Sequence, residues 1–163
     1  MWGERTLFIH QAVERLKEHE PIQYILGETE FCGMRLWIDN RVLIPRPETA
    51  ELIDWIVETV HHPAPAILDI GTGSGCIAIA LANKFRQATV TGFDISLDAL
   101  HAAHENAELN NVLIRFFHVN ILKTAHWEGT FDVIVSNPPY VMNSERETIE
   151  ENVLNHEPEI ALF

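Results

Sequence analysis

The chain has 163 residues, 47% of them hydrophobic, enough for one domain with a real core and too few for two of full size. Eleven Lys and Arg against 24 Asp and Glu give a net charge of -13, which repels a polyanion and argues against wide phosphate contact, leaving room only for a local basic patch. Cys32 and Cys76 lie far apart without a CxxC pair or an even-numbered framework, and no apolar stretch approaches the roughly 18 residues of a membrane span or forms a signal-peptide core. A soluble protein of the reducing cytoplasm is expected, with no metal, no free nucleic acid and no membrane partner.

In chain order, Leu7, Phe8, Ala12, Val13 and Leu16 repeat at helical spacing until Pro21, which predicts one amphipathic helix. "FCGMRLWIDNRVLI", residues 31–44, carries β-branched and aromatic residues around a central "DN" and reads as a hairpin ending at Pro45. "RPETAELIDWIVETV" places Pro47 in a first helical turn, acids at its positive end, and Leu52, Ile53, Ile56, Val57 and Val60 on one face. "HHPAPA" is the only linker, and neither internal repeat nor low-complexity tract interrupts the chain. From residue 66 strand and helix alternate. "AILDI" precedes "GCIAIALANKF", "ATVTGFDI" precedes "LDALHAAHENAELN", and the strands "VLIRFFHV" and "FDVIVS" follow. This alternation predicts an α/β domain with a mostly parallel sheet buried on both faces.

Between the first strand of that sheet and its helix, "LDIGTGSG" sets Gly71, Gly73 and Gly75, where backbone can turn sharply and approach a ligand beside free helix N–H groups. A dinucleotide fingerprint would need glycine at Cys76, and a phosphate loop of the GxxxxGK[ST] type is absent. Asp94 closes the second strand, where a carboxylate can accept hydrogen bonds from ribose hydroxyls. Glycine loop and acid together indicate a nucleoside cofactor. Alone, the glycines would read as a tight turn and Asp94 as a helix cap. Cys76 is expected to be a small inert residue packed against the sheet.

"LDIGTGSG", "FDIS" and "VSNPPY", in this order, resemble a class I methyltransferase that uses S-adenosyl-L-methionine and releases S-adenosyl-L-homocysteine; NPPY is the signature of enzymes that methylate the nitrogen of a planar amide or amine. "PIQYILGETEFCG", "LIPRPETAEL" and "NHEPEIAL" narrow the resemblance to the HemK/PrmC family, similar to protein-(glutamine-N5) methyltransferases acting on peptide-chain release factors. The resemblance implies a Rossmann-like sheet, of which this chain carries the first four strands, preceded by a helix and a β-hairpin. Residues 1–28 would be the remnant of a helical N-terminal domain, 29–45 a hairpin linker, and 46–163 a methyltransferase domain lacking its C-terminal strands, so that a fragment truncated at both ends is expected. The last strand would then leave an edge open to pairing or self-association.

By the same resemblance, Gly71, Thr72, Gly73, Ser74, Gly75, Asp94, Asn120, Ile121 and Asn137 hold the cofactor, and Asn137, Pro138, Pro139 and Tyr140 hold the acceptor glutamine. Family members usually carry aspartate where this chain has Asn120, which offers an oxygen without the charge. The chemistry accounts for the two prolines. An amide nitrogen is a poor nucleophile because its lone pair is delocalised into the carbonyl. If the Asn137 side-chain oxygen and the Pro138 carbonyl each accept one N–H, the lone pair can turn toward a methyl donor. The prolines preorganise both acceptors, and Tyr140 can stack on the amide plane. An adenine N6-methyltransferase would use the same logic but would need a basic track, against the charge of -13. A cofactor-binding fragment without turnover is the third reading. His101, His104, Glu105 and Glu108 share a helix face, read as a solvated face before a metal site. Arg46, Glu48, Thr49 and Glu157 have no role assigned by pattern alone.

Overall fold

The computed structural model describes residues 2–124, 126–127, 129–148 and 151–163. Helix α1 (Trp2–Lys17) forms where the periodicity placed it, yet Leu7, Phe8, Ile9, Val13 and Leu16 remain exposed. Pro21 caps a further short helix, α2 (Ile22–Leu26), which the pattern did not show because five residues make too little periodicity.

The hairpin differs from expectation. Strands β1 (Glu28–Phe31) and β2 (Met34–Trp37) pair antiparallel with Phe31 opposite Met34, so the turn is Cys32–Gly33 and not the "DN" at 39–40. Cys32 and Gly33 both have positive φ, 49° and 74°, as a two-residue hairpin turn of this hand demands. Asp39 instead accepts the Arg41 N–H at 3.0 Å through Oδ1, turning the chain after β2 has ended.

Helix α3 (Glu48–Thr59) starts behind Pro47 and buries Thr49, Ile53 and Ile56. Then come β3 (Ala66–Ile70), α4 (Cys76–Lys84), β4 (Thr89–Asp94), α5 (Leu97–Leu109), β5 (Ile114–His118), β6 (Val133–Ser136) and α6 (Glu151–His156). The four strands β3 to β6 form one parallel sheet in the order β5-β4-β3-β6. The α/β expectation therefore holds, with four strands as read. Burial on both faces holds for β3 and β4, whereas β5 and β6, each with one neighbouring strand, are largely accessible. Ile67, Ile79, Leu81, Val90 and Phe93 make the core beneath the sheet's helices, and Leu36, Ile38 and Ile53 extend it under the hairpin and α3. Among the described residues no helix is long and apolar enough to cross a membrane.

Chain order reverses at β3: β4 and β5 lie to one side and β6 to the other. Such a switch point opens a crevice at the C-terminal ends of the strands, because the connections leave in opposite directions.

Candidate active site

A cavity of about 510 Å³ occupies that crevice, within the range of small-molecule sites. Each strand contributes its last residues or those just after: Ile70 and Gly71 from β3, Phe93 and Asp94 from β4, Val119 and Asn120 from β5, Ser136 and Asn137 from β6. Pro138 and Pro139 continue the wall from β6, and Ile121 and Leu122 close the side beyond Asn120.

The glycine loop turns through positive φ at Gly71, Gly73 and Gly75. A Cβ on Gly71 would meet nothing within 4 Å, so that residue faces open space, while one on Gly75 would come within 3.2 Å of the Ala103 Cβ. Gly71 thus serves the cavity and Gly75 the packing of α4 on α5. Thr72 and Ser74, expected at the cofactor, are buried in the loop's frame and do not line the cavity. The Thr72 hydroxyl donates to Asp69 Oδ2 at 2.7 Å, and the Ser74 carbonyl accepts the Asn106 side-chain amide at 3.0 Å.

Asp94 ties the two halves of the crevice together. Its Oδ2 accepts the Gly73 N–H at 2.8 Å and its Oδ1 the Ser96 N–H at 2.9 Å. A carboxylate has about four acceptor positions, so both oxygens keep capacity toward the cavity. Asn120 accepts the Leu122 N–H through Oδ1 at 3.1 Å, capping the 3₁₀ turn Ile121–Lys123. Its oxygen, expected to face a ligand, keeps a second lone pair, and the residue lines the cavity. Beneath the loop, burial pushes Asp69 up to about 7, with Thr72 and the Ala78 N–H opposing and Asp94 adding to the rise. Burial, then Asp69, pushes the Cys76 thiol up to about 12, so it stays protonated.

At the β6 end the Asn137 Nδ2 donates to the Thr49 hydroxyl at 3.2 Å. Neither the Asn137 Oδ1 nor the Pro138 carbonyl accepts a hydrogen bond among the described residues. Tyr140, expected to stack on the acceptor, is 77% exposed and outside the cavity wall, because it follows the rigid Pro138–Pro139 pair out of the crevice.

Sequence reasoning left Glu157 without a role, and the structure supplies one. Its side chain is 1% exposed; Oε1 pairs with Arg46 Nη2 at 2.7 Å and Oε2 accepts the Ile44 N–H at 3.2 Å. This fastens the "NHEPE" segment to "LIPRP", and Pro158, Ile160, Ala161 and Phe163 form a further part of the cavity wall. Asn106 was missed altogether: buried on α5, it bonds the Trp37 N–H, the Trp37 carbonyl and the Ser74 carbonyl, joining hairpin to loop. A lone asparagine on an alanine-rich helix face was the available signal. The histidine face of α5 is engaged otherwise, His104 edge-on to Phe116 and Glu105 with Arg41 at 2.7 Å.

The residues fit an adenosyl sulfonium cofactor on three counts: open space over Gly71, spare acceptor capacity at Asp94, and the exposed apolar side chains of Ile95 and Ile121 for a flat base. Comparison with known proteins agrees. The family model for the methyltransferase small domain matches residues 50–160. A release factor glutamine methyltransferase of Flavobacterium psychrophilum is 52% identical over 153 residues, covering 91% of this chain and 54% of the relative. One of Bacteroides thetaiotaomicron is 47% identical over 95% of this chain and 56% of the relative. The chain thus spans about half the length of the curated relatives it matches. Among solved structures, a Pyrococcus abyssi tRNA (uracil-54, C5)-methyltransferase in complex with S-adenosyl-L-homocysteine matches with a TM-score of 0.56 and 27% identity, over 68% of this chain and 27% of that one. The sheet, the glycine loop and most of the cavity wall belong to the region that the family model spans, and the chain belongs to the methyltransferase small-domain family.

Proposed function

We propose that this chain binds S-adenosyl-L-methionine in the crevice and that the whole protein methylates the N5 nitrogen of a glutamine side chain in a peptide-chain release factor. The observation that carries the reading is a pair of acceptors without a hydrogen-bond partner among the described residues, Asn137 Oδ1 and the Pro138 carbonyl, on residues that line the same cavity as Asp94 at the end of β6. The motifs of the release factor glutamine methyltransferases, at up to 52% identity, support it.

Gly71 and Asp94 would hold the cofactor, which when bound supplies an electrophilic methyl group. The chain's own contribution lies at the acceptor. A primary amide offers two N–H bonds in one plane, and two oxygens fixed by adjacent residues can take both. With the plane held, the nitrogen lone pair is turned out of it, and a new N–C bond can form as the methyl leaves its sulfur. The nitrogen then gives up one proton to solvent, restoring a neutral N-methyl amide. No separate base is needed before transfer, so catalysis rests on orientation and on oxygens aimed where positive charge develops.

The test measures cofactor affinity by calorimetry and single-turnover transfer of labelled methyl to a release-factor loop peptide, with an adenine-containing oligonucleotide in parallel. Asn137→Ala should lose about 100- to 1000-fold in turnover, as for removal of one oriented transition-state contact, with cofactor affinity nearly unchanged. Transfer to the oligonucleotide and not the peptide would overturn the substrate. Loss of cofactor binding together with turnover would overturn the role of Asn137.

A further inference from the structure

We infer that Ser136 is a further cofactor-binding residue, whose hydroxyl oxygen accepts a hydrogen bond from the α-ammonium at the cofactor's amino-acid end; this deepens the proposed function and rests on it for the identity of the cofactor. Ser136 ends β6, pairs in register with Ile70 of β3, and is an exposed residue of the cavity wall. Its hydroxyl donates to the Ile70 carbonyl at 2.8 Å. A carbonyl oxygen only accepts, so this bond takes the one proton that the hydroxyl has. What Ser136 keeps is an oxygen with lone pairs and nothing left to donate. A ligand group that meets it must bring a donor.

Counting donors indicates which group that is. The acceptor glutamine brings two N–H bonds, and the Asn137 Oδ1 and the Pro138 carbonyl, one and two residues further on, match both. The Ser136 oxygen is a third acceptor, in excess of what the amide can use. A sulfonium methyl offers only C–H bonds, which are weak donors. The α-ammonium offers N–H bonds with a positive charge, and a charge-assisted hydrogen bond is the stronger kind. Position agrees with chemistry. The sheet runs β5-β4-β3-β6, with Ile121 after β5 and Ile95 after β4 for the base, and Asp94 at the end of β4 for the ribose. A cofactor whose base and ribose take those two strand ends carries its sulfur and amino-acid branch on to the ends of β3 and β6, where Ser136 lies.

Calorimetry on this chain tests the assignment with two ligands: S-adenosyl-L-homocysteine, and its desamino analogue, which keeps the carboxylate and lacks the ammonium. Ser136→Ala should bind S-adenosyl-L-homocysteine roughly 10- to 100-fold more weakly than the wild type, as for loss of a hydrogen bond to a charged group. The same variant should bind the desamino analogue within about 2-fold of the wild type, because the two changes remove the same contact. Ser136→Thr keeps the hydroxyl and should bind S-adenosyl-L-homocysteine nearly as the wild type does. A purely structural role would weaken both ligands alike in Ser136→Ala, and that result overturns the inference. Equal impairment of the Ala and Thr variants overturns it too. Wild-type affinity of Ser136→Ala for S-adenosyl-L-homocysteine removes Ser136 from the binding site and leaves the cofactor reading standing. A wild-type chain that binds neither ligand overturns the cofactor reading and the inference with it.

Discussion

Asp94 does two jobs with one carboxylate. It holds the loop by accepting the Gly73 and Ser96 N–H groups, and as part of the cavity wall it keeps acceptor capacity on both oxygens. Asp94→Ala should weaken cofactor affinity by roughly 1 to 3 kcal/mol, the cost of stranding partners of a buried hydrogen bond, and lower the melting temperature as well. Calorimetry with S-adenosyl-L-homocysteine checks the first part, and unchanged affinity would remove Asp94 from the binding site. Asp69, two strand positions before the loop, acts through protonation. It is fully buried, its Oδ1 has no hydrogen-bond partner among the described residues, and burial pushes it up to about 7 from an ordinary 3.8. The folded state therefore keeps a proton that the unfolded state releases near pH 4, so stability should fall as pH rises from about 4 to about 7 and level off above. Asp69→Asn has nothing to ionise and can still accept from Thr72. Urea midpoints at pH 5 and 8 should differ less in the variant than in the wild type, and equal differences would show that Asp69 does not titrate in this window.

Most elements were legible because their signals are local: apolar runs for β3 to β6, periodicity for α3 and α5, proline at the start of α3. What was not legible depends on contacts far apart in sequence. The hairpin turn was misplaced because "DN" is the stronger composition signal, whereas the observed pairing puts the tight turn at Cys32–Gly33. Thr72, Ser74 and Gly75, expected at the cofactor, are not in the cavity wall, because a motif records that a loop is constrained, not which of its atoms face inward. The "NHEPE" segment shows the opposite case. No local pattern says that Glu157 will reach Ile44 and Arg46, more than 100 residues earlier, yet those two bonds place the last six residues against the cavity. Glu157→Ala should lower stability by about 2 kcal/mol, more than a surface ion pair would, because one partner is buried and charged; half-exposed Arg46 can regain water, which limits the loss. An unchanged urea slope with a lower midpoint, and faster proteolysis after residue 157, are the expected results. A wild-type digestion pattern would show that residues 158–163 are held by their own contacts, such as the Val141 N–H on the Leu162 carbonyl.

At the scale of the molecule two forces oppose each other. Among the described residues strand β6 pairs on one side only, and it shows Ile134 64% exposed on its face, an arrangement that invites another strand. Against this, a net charge of -13 on 18.6 kDa makes copies of the chain repel one another. Which prevails depends on salt. The Debye length shrinks from about 30 Å at 0.01 M to about 8 Å at 0.15 M, so repulsion summed over the whole surface fades while a strand contact at about 5 Å does not. Self-association of this chain should therefore be weak at low ionic strength and grow as salt is added, the reverse of an assembly held by ion pairs. Ile134→Glu adds a further negative charge at the strand and removes its apolar face, and should keep the chain monomeric at both salt concentrations with little change in melting temperature, since the side chain is mostly in water already. Sedimentation of both proteins at two salt concentrations decides the matter. A wild-type chain that remains monomeric in high salt would mean that the twist or the residues following β6 shield its edge, and a variant that associates like wild type would move the contact elsewhere, to the uncovered apolar side chains of α1 in the first instance.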